Sequence, residues 1–99
     1  MTTLPDAEAA GQLVRTLLEE RLVACGNVIQ GVVSLYRWDG AVRREGEVIL
    51  LLKSTTGMLE GVFARIAELH PYSVPELLTF PAAVVGESYR RWVVECLQG

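Results

Sequence analysis

The sequence is short of groups that do chemistry. Among 99 residues there is one histidine, His70, and two cysteines, Cys25 and Cys96. A first-row metal centre takes several N, S or O ligands at fixed geometry, and one imidazole is a weak start. The cysteines lie far apart and form no CxxC pair. In a chain that is not secreted they are expected as buried thiols rather than a disulfide. Asn27 is the only asparagine. With it stands no Gly-rich cradle ahead of a helix, which an acylphosphatase-like site would need. One histidine at a helix end makes no Ser-His-Asp or Cys-His set, so no enzyme is expected.

Basic runs are missing too. The densest is Arg43-Arg44, diluted by Glu45 and Glu47. Net charge is -3 and the isoelectric point is about 5.1. Phosphate backbones and anionic membranes call for a basic stripe, so neither partner is expected. Long apolar runs are absent. "VILLL" (48–52) and "FPAAVV" (80–85) have strand length, far below the ~20 residues of a membrane span. "MTTLPDAEAA" has no basic stretch followed by an apolar one, so no secretory signal is read and the cytoplasm is the expected compartment. No linker, repeat or low-complexity segment divides the chain. Residues 1–99 are read as one domain.

What is abundant is apolar material. It makes up 51% of the residues, with mean hydropathy +0.30. A domain this small buries only roughly 60–65% of its unfolded surface. Part of the apolar excess is therefore expected at a subunit interface, which resembles a core cut in half.

Along the chain, Asp6 is a good N-cap. Leu13, Val14, Leu17, Leu18 and Leu22 then recur at helical spacing, so a first helix is expected from Asp6 to Val23. "ACGNVIQGVVSLYRW" (24–38) reads as a long strand with Gly31 at a bend or bulge. "DG" (39–40) signals a type I′ hairpin. "AVRREGEVILLLKST" (41–55) returns as the second arm, polar where it overhangs the core and apolar where a central strand is covered on both faces. A second helix runs from Gly57 to His70, because Pro71 disfavours helical geometry just before it. "ELLTFPAAVVG" (76–86) reads as a strand with Pro81 at an edge or bulge. "ESYRRWVVECLQ" (87–98) reads as a helix with Tyr89, Trp92, Val93 and Cys96 inward. Only Met1 to Leu4 remain for a first strand. Either they form a short one or the native start lies upstream. The expected class is α+β: a ferredoxin-like βαββαβ antiparallel sheet with a truncated first strand and an added C-terminal helix.

"ERLVACGNV", "SLYRWDG", "EGEVILLLKST", "ELHPYSVPELLTFP" and "SYRRW", in this order and spacing, resemble the CutA family of divalent-cation tolerance proteins. The resemblance runs from Thr2 to about Leu97. It implies the same fold, a tight homotrimer with strands paired across subunits, and a PII-like architecture. It also implies a metal-linked role, with copper or another divalent cation as the ion, and no catalysis. The alternative is a PII-like signalling or scaffold trimer that takes a small ligand or partner protein at its subunit clefts. Tyr36, Trp38 and Val42 would pack against a neighbouring subunit. The copper site described for a bacterial member uses a first-strand cysteine and two adjacent histidines before Pro-Tyr. Carried over, these positions fall on Thr2, Leu69 and His70, so His70 is the one candidate metal ligand. The plain reading of His70 is a helix C-cap, where the macrodipole is expected to raise its pKa. Tyr72, Glu76 and Glu68 are the expected lining of a polar cleft beside it. Glu45 and Glu47 are read as a solvated hairpin arm, or as partners of Arg43 and Arg44 across subunits.

Overall fold

The computed structural model describes residues 1–99. Strand β1 (Thr2–Leu4) is followed by helix α1 (Ala7–Glu19), strands β2 (Cys25–Trp38) and β3 (Ala41–Lys53), a 3-10 turn (Thr56–Met58), helix α2 (Leu59–Leu69) and helix α3 (Glu87–Leu97). Asp6 does cap α1: its carboxylate accepts from the Ala9 N–H at 2.8 Å. The helix stops at Glu19, four residues before the expected end. Arg21 enters the left-handed region at φ 57°. The Arg21 N–H then reaches the Leu18 carbonyl and the Leu22 N–H the Leu17 carbonyl, which is a Schellman closure.

The sheet is antiparallel, in the order β1-β3-β2. Asp39 and Gly40 both have positive φ, 53° and 78°, as a type I′ turn requires. That turn sets Trp38 opposite Ala41, and the pairing continues to Val32 opposite Glu47. The register then shifts between Ile29 and Val32, with Gly31 at φ 77°. The expected bulge is present. β1 pairs Thr2 with Leu50 and Leu4 with Val48. These four side chains are buried together under α1 and α2, against Leu13, Leu17, Val62 and Ile66. Burying one such aliphatic side chain is worth about 1.5–3 kcal/mol, so this one-sided core supports the fold. Ile49 and Leu51, on the other face of β3, are only half-buried. The expectation of a central strand covered on both faces fails within one chain.

Three other expectations change. Residues 76–86 form no strand. Only Leu78 pairs: its N–H reaches the Met1 carbonyl at 3.2 Å, and its carbonyl accepts from the Met1 ammonium at 2.7 Å. The segment occupies the outer edge of β1, where a fourth strand would lie. Pro75 and Pro81 flank that pairing without donors. On α3 only Val93 is buried; Tyr89 and Trp92 are exposed, stacked on each other at 5.6 Å between ring centroids. Cys25 and Cys96 are free thiols, half-buried rather than buried.

Candidate functional site

The hairpin extends past the end of β1, so the far half of β3 has one free edge. Residues 71–76 run beside it. Side chains alternate across a strand and cross-strand partners share a face. Arg43, Glu45 and Glu47 therefore stand with Tyr36, Ser34 and Val32 on the face away from the helices. Residues 71–76 close over that face. Together they bound an open cleft of about 820 Å³. The DG turn fixes this juxtaposition through the register, so it was legible in the sequence. What the sequence hid is that 71–76 folds back over the hairpin.

His70 ties that segment down. Its backbone leaves the helix, at φ -69° and ψ 136°, as a residue before proline should. Its Nδ1 accepts from the Tyr72 N–H at 3.1 Å. A nitrogen that accepts from an amide carries no proton, so the proton sits on Nε2. Nε2 donates to the Thr3 carbonyl at 2.8 Å, and the Thr2 Oγ1 lies 3.1 Å away. His70 is 8% exposed. Burial pushes its pKa below the ordinary value, against a raising influence from the Thr3 carbonyl and the Glu47 charge. This corrects the macrodipole expectation: desolvation of the charged form wins over the helix end.

Tyr72 packs on His70, with ring centroids 4.9 Å apart. Its hydroxyl donates to Glu47 Oε2 at 2.7 Å. Burial, then Glu47, raises the phenol's pKa far above its usual range. The Tyr36 phenol is raised as well, by burial and then by Glu45 and Glu47. Glu76 also lines the cleft, and its Oε2 is buried with no hydrogen-bond partner. Tyr36 and Trp38 line the same cleft. Val42 stands on the opposite face of the ribbon and is 68% exposed. Glu68 departs from expectation. Arg65 binds it at 3.1 Å on the exposed side of α2 while also pairing with Glu20 at 2.7 Å. It does not line the cleft. Glu45 and Glu47, read as a solvated arm, do.

The positions implied for copper, Thr2, Leu69 and His70, do not fit such a centre. Both imidazole nitrogens are committed to the backbone, Leu69 has no donor atom, and Thr2 offers only a hydroxyl. No three His, Cys, Asp or Glu side chains gather where they could hold a metal within one chain.

Comparison with known proteins agrees with the architecture. Residues 1–96 match the family model described as CutA1 divalent ion tolerance protein. The chain is 40% identical over 95 residues to the divalent-cation tolerance protein CutA of Thermus thermophilus, covering 96% of this chain and 92% of that one. It is 32% identical over 91 residues to the chloroplastic CutA protein of Arabidopsis thaliana, covering 92% of this chain and 50% of that one. A CutA1 crystal structure from Pyrococcus horikoshii superposes with a TM-score of 0.95 at 39% identity, covering 99% and 95% of the two chains. The sequence motifs, the antiparallel sheet with its long hairpin and these matches converge: the chain belongs to the CutA1 divalent ion tolerance protein family.

Proposed function

We propose that this chain is a non-enzymatic divalent-cation tolerance protein that works as a homotrimer in the cytoplasm. The observation that carries the assembly is the uncovered hairpin. Leu35 is 66% exposed and Val42 68%, on two strands that outrun β1. A two-stranded ribbon is marginal by itself in water. Exposed apolar side chains on an unsupported ribbon point to an interaction site, and a second copy is the partner whose exposed ribbon matches it. In this reading Tyr36, Trp38 and Val42 lie at or beside the subunit contact.

The names of the relatives support a cation as the cargo. A copper ion at His70 has to displace the Thr3 carbonyl or the Tyr72 amide, so tight binding needs ligands from more than one subunit. A second reading, a PII-like trimer with a small ligand in each cleft, is favoured by the cleft between the hairpin and residues 71–76.

The test is a competitive Cu(II) titration at pH 7, wild type against His70→Ala, with the mass measured by light scattering. A trimer whose copper binding is lost in His70→Ala supports the metal reading. A monomer sinks the assembly. A trimer with copper binding indifferent to His70 moves the ligand-cleft reading ahead.

A further inference from the structure

We propose that the cleft between the hairpin and residues 71–76 binds an organic cation with a planar or apolar body. The inference deepens the ligand-cleft reading and rests on it.

The charge of the walls sets the sign. Glu45, Glu47 and Glu76 line the cleft against one guanidinium, Arg43. Glu47 already accepts the Tyr72 hydroxyl, which leaves the rest of its charge uncompensated. The Met1 ammonium, which donates to the Leu78 carbonyl, offsets part of the Glu76 charge, leaving three carboxylates against two cations. Glu76 Oε2 is left buried and unpartnered. A buried carboxylate oxygen without a donor costs free energy until a donor arrives. The raised Tyr36 and Tyr72 phenols report the same negative surroundings, after the effect of burial.

The spread of the carboxylates decides which cation. A divalent ion needs its oxygens gathered within about 2.0–2.6 Å of one point. No such gathering exists here; the carboxylates are dispersed over the wall of an 820 Å³ cleft. A larger cation can meet dispersed carboxylates, and a bare ion cannot. Three aromatic rings, Tyr36, Trp38 and Tyr72, line the same cleft. Aromatic faces attract ammonium and guanidinium groups and also accommodate planar bodies. Ligand clefts commonly combine apolar walls with a few polar groups in this way.

The experiment uses three probes that share one ring and differ in charge: tyramine, 4-hydroxyphenylethanol and 4-hydroxyphenylacetate. Each is titrated calorimetrically into the assembled protein at pH 7.5. Tyramine is expected to bind at least about tenfold tighter than the other two. Glu76→Gln is expected to weaken it with the oligomer intact. Equal binding of all three, or tightest binding of the acid, overturns the charge assignment and leaves the cleft as a ligand site. No binding of any probe overturns the proposal, while the ligand-cleft reading stands or falls by the Cu(II) titration against His70→Ala. Binding of Cu(II) or Mg(II), lost in Glu76→Gln while tyramine fails, assigns the cleft to a metal and overturns the proposal. If tyramine binds only after Arg44→Ala, a neighbour's guanidinium fills the cleft and the free-ligand proposal falls.

Discussion

The Thr2 hydroxyl lies 3.1 Å from Nε2 of His70, 68 residues away in the chain. The same nitrogen holds the Thr3 carbonyl. One imidazole thus joins the first strand to the segment that closes the cleft. This role depends on the ring being neutral. The lowered pKa of His70 means that the folded state binds its proton less readily than the unfolded chain. Its stability contribution is fully present above the unfolded value of about 6.5 and is lost as pH falls through the folded value. The denaturation midpoint should therefore drop on going from pH 7.5 to 5.5. His70→Gln should be less stable at pH 7.5 and show a flatter profile. An equally steep profile in the variant would assign the acid sensitivity elsewhere.

The Thr2–His70 proximity also predicts a gain of function. Thr2→Cys would place a thiol beside the imidazole and supply the softer ligand that copper prefers. Competition with a Cu(I) chelator should show affinity at least about tenfold above wild type. The gain should vanish in the double variant with His70→Ala. A gain that survives the double change would mean that the thiol acts without the ring.

Tyr72→Phe removes the hydroxyl that Glu47 accepts at 2.7 Å. The expected cost is about 0.5–1.5 kcal/mol in urea denaturation. Amide exchange should quicken across residues 71–76 and remain unchanged in α1. Uniform protection would mean that the bond does not hold the segment.

Leu35→Glu and Val42→Asp test the assembly. Each puts a charge on a side chain that is exposed in the single chain, so the isolated fold should tolerate it. If the ribbon is a subunit contact, light scattering at micromolar concentration should show smaller species in both variants. Unchanged mass in both would remove the hairpin from the interface.

Gly26 faces α1 so closely that an added methyl would overlap the Val14 side chain and press on Leu52. Gly26→Ala should cost about 1–3 kcal/mol, read as a lower urea midpoint. Gly46→Ala has open space at the same methyl position and serves as the control.

Much of this fold was legible locally. Asp6 announced the first helix, DG at 39–40 the hairpin, Gly31 the bulge and His70-Pro71 the end of α2. Each works through the backbone preferences of one or two residues, and each acts where it stands. The errors fall where a neighbour decides. Residues 76–86 have strand composition, yet with Pro75 just ahead of them, Pro81 among them and only Met1 to pair with, they form no ladder. Tyr89 and Trp92 have core composition, yet nothing in the same chain covers them.

The candidate site divides along the same line. The sequence by itself determined the alternation that puts Tyr36, Arg43, Glu45 and Glu47 on one face, because a two-residue turn leaves one register. It also determined that His70 would sit at a helix end. Only the tertiary structure decided that His70 spends both nitrogens on the backbone, that Glu68 turns to Arg65, and that Tyr72 and Glu76 close a cleft over the hairpin. The His70–Thr2 and Tyr72–Glu47 contacts join residues 68 and 25 positions apart. Such distances are closed by the packing of whole elements, and local propensity carries no information about them.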